Sequence, residues 1–171
     1  MKMHMHGADL HRRDRLRVDS RDVDRFQRVR PGAICAMMQE SAWRHAESMG
    51  FGYFHLAREG RFWVLDEVPP RVFDFTGSVI TRRVEAAWSD IDLNGHVNNT
   101  RYVDWMLDGF NEDFHRRHLP RRIEMNFVAE LRQNEALELN YLENRDKSWL
   151  VNGKKPGGES VVRGRLYWHT A

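Results

Sequence analysis

Between Arg122 and Thr170 the chain reads as one strand after another, and a single amphipathic helix stands directly before them. In "RIEMNFVAEL" (122–131), Ile123, Met125 and Phe127 alternate with Glu124 and Asn126. "EALELNYLEN" (135–144), "SWLVN" (148–152) and "SVVRGRLYWHT" (160–170) follow, with "GKKPGGES" (153–160) as a loop. Runs of this length with period-two alternation fit antiparallel strands joined by turns. The helix pattern starts at Asn98 or Asn99, either of which can accept a hydrogen bond from an orphan N–H. Tyr102, Trp105, Met106, Phe110 and Phe114 make its apolar stripe, and Pro120 is expected to end it. A helix followed by a meander specifies an α+β fold in which a sheet buries the helix stripe.

The upstream part repeats this theme in shorter form. "RPGAICAMMQESAWRHAESMG" (30–50) predicts a helix, entered at Pro31-Gly32 and stopped at Gly50, with Ile34, Met37, Met38, Ala42, His45 and Met49 at helical spacing. "LRVDSRDVDRF" (16–26) reads as an edge strand, "RFWVLDEV" (61–68) as a short buried strand, and "VITRRVEAAW" (79–88) as another. "PPRVFDFTGS" (69–78) is the candidate boundary. Residues 1–13 read as a loose leader, and the His pair of "MHMH" (3–6) carries no metal expectation. "RVDSRDVDRFQRVRPGAICAMMQESAWRHAE" rhymes weakly with "RVEAAWSDIDLNGHVNNTRYVDWMLDGFNED", which suggests an internal duplication.

Composition removes several classes. At 171 residues, with 41% hydrophobic and 30% charged, the chain suits one good-sized domain or two very small ones. No apolar run is long enough for a transmembrane helix, and the first residues lack the apolar stretch of a signal peptide. Cys35, the only cysteine, rules out a disulfide framework. A soluble cytoplasmic protein is the expectation. The net charge is +2, and nearly all of the positive charge is Arg. The runs "HRRDRLR" (11–17) and "HRRHLPRR" (115–122) fit a docking patch for an acidic partner or a plain solvated face. Acidic residues alternate with the Args and no nucleic-acid motif accompanies them, so the solvated face is favoured and nucleic-acid binding is not expected.

"SDIDLNGHVNNTRYVDWML" (89–107) places Asp90, Asp92, Asn94, His96, Asn98 and Asn99 at the mouth of the second helix. Turn and cap chemistry accounts for Asn94-Gly95 and one of the later Asn residues. The pairing of Asp92 with His96 asks for more. A helix N-terminus nearby favours a developing oxyanion. Asn94 can donate its amide to a carbonyl, and His96 can orient or deprotonate water. No Gly-x-Ser-x-Gly motif is present, so a carboxylate or acid/base mechanism is expected rather than a serine acyl-enzyme.

"WSDIDLNGHVNNTRYVDW" resembles the signature of acyl-ACP thioesterases, hotdog-fold enzymes that release fatty acids from acyl carrier protein. "RVDSRDVDRF", "QESAWRHAE" and "FWVL" extend the resemblance from about Leu16 to His169. It implies an α+β hotdog fold, a long helix wrapped by an antiparallel sheet. Family members typically hold two such units. Here 79–170 looks complete, while 14–70 keeps only a strand, a helix and "FWVL". The shortened unit is expected to dock its helix on the second unit or on another chain, and homodimerisation would complete the sheets.

The resemblance also implies Asp92 as base or nucleophile and Glu130 as a water-activating carboxylate. Asn98, Asn99, Tyr102 and Trp105 are the candidate substrate contacts, and the Met and Trp residues of both helices are candidate tunnel lining as well as core. A cysteine once proposed as catalytic in the family is Leu131 here. Cys35 and His45 read as core, and Asp104 and Asp108 as polar-face residues. No metal or cofactor is implied. The expected function is hydrolysis of fatty-acyl thioesters, on acyl carrier protein in preference. The alternatives are a single-hotdog acyl-CoA thioesterase acting as a dimer and a non-catalytic acyl-binding remnant.

Overall fold

A computed structural model describes residues 11–60, 75 and 80–170. The expected strand 61–68, the boundary 69–78 apart from Phe75, the residue that opens the 79–88 strand, most of the leader and the "MHMH" pair lie outside the described residues. The chain divides into two compact units, Met1–Asp66 and Glu67–Ala171.

The first unit carries helix α1 (Pro31–Ser48) and the short helix α2 (Tyr53–Arg58). Pro31 occupies the first turn, where its missing N–H costs nothing. Gly50 follows the C-cap Met49 with φ +76°, the left-handed conformation that stops a helix. Trp43 stacks on Tyr53 with ring centroids 5.6 Å apart, tying the two helices. Gly32 is the helix's one buried residue, and Ile34 and Met38 are 45% and 65% exposed. Cys35 is half-buried, as is His45.

The edge strand expected at 16–26 does not form. Ser20–Asp22 is a 3-10 turn, and a small hairpin follows, closed by a single bridge between Val23 and Val29. Short acidic side chains explain the difference. Asp22 accepts the Asp19 N–H at 2.8 Å, and Asp24 Oδ1 accepts the N–H groups of Phe26 and Arg28 at 2.8 and 3.0 Å. Such local bonds offer the backbone an alternative to a ladder.

Among its described residues the second unit forms a five-stranded antiparallel sheet with a helix on one face. Its strands are β1 (Ile80–Glu85), β2 (His118–Phe127), β3 (Ala136–Glu143), β4 (Trp149–Lys154) and β5 (Ser160–Thr170), in the spatial order β1-β3-β4-β5-β2. Helix α3 (Asn99–Leu107) lies between β1 and β2 in sequence. Its Tyr102, Val103, Trp105, Met106 and Leu107 are buried, as are Leu137, Leu139, Tyr141, Val151, Val162 and Leu166 of the sheet. Tyr141 fastens the two layers: its hydroxyl donates to the carbonyls of Trp105 and Met106, each at 3.2 Å. Burial raises its pKa, which keeps the donor proton in place. Met106 is fully buried, so truncation to Ala would cost about 2–5 kcal/mol.

The helix is shorter than its stripe predicts. It ends at Leu107, and a separate helix α4 (Glu112–Arg117) begins after the cap residue Asn111, whose side chain accepts the Phe114 N–H at 2.9 Å. A Cβ on Gly109 would stand 2.3 Å from the Tyr141 ring, so the break lets the chain pass close over the sheet. Phe110 and Phe114 still pack inward, stacked at 4.6 Å and meeting Trp168 edge-on. Pro120 does not end a helix either. It lies within β2, a sheet-edge strand that tolerates a missing N–H, beside a register shift before Arg122.

Candidate active site

The polar run forms a small hairpin between β1 and α3. Trp88–Asp90 is a 3-10 turn, and Ile91 bridges Val97. Across the hairpin, the Asp92 N–H donates to the His96 carbonyl at 2.8 Å and the Gly95 N–H to the Asp92 carbonyl at 3.1 Å. Gly95 has φ +79°, which a side chain would strain. Asp92 Oδ1 accepts the N–H of Asn94 at 2.8 Å and that of His96 at 3.4 Å. The closeness of Asp92 to His96 is therefore a turn geometry, made by backbone groups and one carboxylate oxygen. Asn94 projects from the tip and is exposed.

Glu130 reaches this hairpin because β2 breaks. The strand stops at Phe127, and the N–H groups of both Val128 and Ala129 converge on the Val161 carbonyl at 2.8 and 3.2 Å. Two residues opposite one make a bulge, which resets the side-chain alternation. Simple alternation through 131 thus fails to predict where Glu130 points. The Val97 N–H then donates to the Leu131 carbonyl at 2.8 Å, laying the hairpin stem beside 130–131. His96 Nε2 comes within 2.9 Å of Glu130 Oε2, and Arg132 Nη2 stands 3.9 Å from the same oxygen. His96 is half-buried and Glu130 exposed. The contact is an ion pair when the imidazole carries its second proton.

The remaining candidates divide by burial. Asn98 is the N-cap of α3, its Oδ1 accepting both the N–H and the hydroxyl of Thr100 at 2.9 Å. Asn99 is exposed at the first helical position. Tyr102 and Trp105 are core residues beneath the site, 3% and 6% exposed and in edge-to-face contact with centroids 5.4 Å apart. Tyr102 also meets Phe127 at the end of β2. Burial first, then the carboxylate of Glu135 and more weakly those of Asp92 and Glu130, raise the Tyr102 pKa, against a smaller pull from the Leu131 backbone. A neutral phenol under two candidate carboxylates is a donor, not a base. Glu135 itself is held below the usual carboxylate range by the Arg132 N–H and by Lys155. Leu131 is fully buried.

The sequence puts Asp90 at the helix mouth but gives it no partner, and it leaves Arg101 without a role. Asp90 is 5% exposed, accepts the Ala87 N–H at 2.9 Å and pairs with Arg101 Nε at 2.7 Å; Arg101 also reaches Asp104 at 3.2 Å. Asp104 is thus held by a partner on its own helix, and Asp108 lies 3.3 Å from Arg82 of β1. The spacing of "DVDRFQRV" and "DIDLNGHV" repeats within the two segments whose rhyme suggests the duplication, and it places the same turn in both halves.

A five-stranded antiparallel sheet carrying a helix is the hotdog fold. Solved acyl-ACP thioesterases share it: one from Bacteroides thetaiotaomicron has TM-score 0.75 and 21% identity, covering 88% of this chain and 94% of that one. A 12:0-ACP thioesterase from Umbellularia californica has TM-score 0.73 and 15% identity, covering 90% of this chain and 95% of that one.

The acyl-ACP thioesterase C-terminal domain family matches residues 76–169, and the chain belongs to that family. A chloroplastic palmitoyl-acyl carrier protein thioesterase of Arabidopsis thaliana is 26% identical over 114 residues, 61% of this chain. A chloroplastic dodecanoyl-[acyl-carrier-protein] hydrolase of Cinnamomum camphora is 42% identical over 40 residues, 23% of this chain. The matched segments span 27% and 10% of the lengths of those two relatives.

Proposed function

We propose that the chain hydrolyses fatty-acyl thioesters, with acyl carrier protein as the preferred carrier and CoA as the alternative. The observation that carries this reading is the 2.9 Å contact between His96 and Glu130, two groups far apart in sequence and brought together by a bulge and a hairpin. In this reading a water lies at the pair. The dyad takes its proton as the oxygen attacks the thioester carbonyl, and returns a proton to the leaving thiolate. Asn94, exposed at the hairpin tip, donates its amide to the developing oxyanion. The family resemblance implies Asp92 as base or nucleophile. With Oδ1 engaged by two backbone N–H groups, its proposed part is instead to hold Asn94 and His96 in place.

The family of the matched domain supports the substrate class, and Arg-rich surface suits an acidic carrier. Residues 79–170 are the proposed complete hotdog unit and 14–70 a partial one. Exposed Ile34 and Met38 on α1 support a homodimer that covers them. No helix among the described residues is long and apolar enough to cross a membrane. The reading is tested with a panel of acyl-ACP and matching acyl-CoA substrates of graded chain length. Release of free thiol by the wild type, lost in Glu130→Gln, supports it. A folded wild type that cleaves neither carrier refutes it.

A further inference from the structure

The first unit contains a copy of the active-site hairpin, almost bond for bond. Asp22 accepts the Asp19 N–H as Asp90 accepts that of Ala87, at 2.8 and 2.9 Å. The Asp22 carbonyl accepts the Arg30 N–H and the Asp90 carbonyl the Asn98 N–H, both at 2.8 Å and both from the residue that precedes a helix. Asp24 N–H donates to the Arg28 carbonyl as Asp92 N–H donates to that of His96. Gln27 takes the left-handed conformation that Gly95 takes.

The copies differ at one buried carboxylate. Asp22 is half-buried, while Asp90 is buried and faces Arg101 from the first turn of α3. The residue at the matching place in α1 is Ala33. The turn therefore forms without an arginine, and Arg101 does something other than make it.

We propose that Arg101 is a positioning residue for the reaction. Through the buried Asp90 carboxylate it locks the 91–97 hairpin to the first turn of α3, so that His96 stays in reach of Glu130. The chemistry is that of a charge pair with one buried member. Asp90 needs a partner, Arg101 is held on its far side by Asp104, and Asp90 fixes both ends of the hairpin through Ala87 and Asn98. The consequence for turnover rests on the thioesterase reading above; the consequence for the hairpin does not.

The test uses Arg101→Met, which keeps the stem and removes the charge, and Arg101→Lys, which restores a cation. Arg101→Met is expected to lower kcat by about tenfold or more with KM within about twofold, and Arg101→Lys to recover most of it. By hydrogen exchange, the Val97 and Asn98 amides should open about tenfold faster in Arg101→Met while the β3 amides keep their rates. Wild-type kcat in Arg101→Met, or unchanged exchange at Val97 and Asn98, overturns the proposal. If the wild type cleaves no thioester, the function falls and exchange alone decides: faster opening reversed by Lys supports the lock, and unchanged opening refutes it. Should Arg101→Met fail to fold, Asp90→Asn, which keeps an acceptor for the Ala87 N–H, takes its place. Slower turnover and faster opening at Val97 and Asn98 then support the lock, and wild-type values of either overturn it.

Discussion

The hairpins at 22–30 and 90–98 share a backbone and differ in what they display. The first presents Phe26 and Arg28, with the Arg28 guanidinium 5.1 Å from the Phe26 ring centroid. The second presents Asn94 and His96 at the same places, and His96 finds Glu130. Asp24 and Asp92 do the same work in both, accepting two backbone N–H groups with one oxygen. A carboxylate that recurs where no His or Glu answers it belongs to the turn. What distinguishes the active-site hairpin is its two tip residues, its arginine lock, and the strand end laid beside it.

The largest expected effect comes from erasing that distinction. Asn94→Phe with His96→Arg gives the second hairpin the tip of the first. Turnover should fall by about a thousandfold or more, because a proton carrier and an oxyanion donor go together. The melting temperature should move by no more than about 5 °C, since the turn bonds are backbone and Asp92. Steady-state kinetics and a thermal melt on one preparation check both.

Glu130→Gln comes next. It keeps the size and loses the charge that orients His96, so kcat should fall by about a hundredfold. Combining it with His96→Ala should cost no more than the worse single change, since the two act as a unit.

Asp92 gives the sharpest contrast. If its carboxylate belongs to the turn, Asp92→Asn retains Oδ1 as acceptor and keeps kcat within about tenfold, while Asp92→Ala loses the turn and most activity. Equal loss in both variants would return the residue to the role of base.

The smallest effect is in the first unit. Asp24→Ala should lower stability by about 1 kcal/mol and leave kcat unchanged, read by denaturant titration beside the kinetic assay.

Much of this was legible in the chain. The strand runs gave β3 and β5 and most of β4, which extends through Gly153 and Lys154 of the expected loop, and helical spacing with Gly50 gave α1 to within a residue or two at each end. Asn98 as cap followed from its place before an apolar stripe. The misses have a common cause. The α3–α4 break depends on how closely Gly109 passes Tyr141, and the bulge at Val128-Ala129 depends on a carbonyl more than thirty residues away. Neither is a local property of sequence. The 22–30 hairpin was missed because Val and Phe among charges imitate a strand, although Asp22 and Asp24 carry the same Asp-x-Asp spacing as Asp90 and Asp92. The site's residue types could be named in advance; the 2.9 Å contact between His96 and Glu130 could not.

Whether this contact is the working centre of a thioesterase is decided by thiol release from acyl-ACP, measured for wild type and His96→Ala side by side. Turnover is expected in the wild type, with a loss of about a hundredfold or more in the variant and both proteins folded. Equal rates in the two, or no hydrolysis by the folded wild type, would contradict that role.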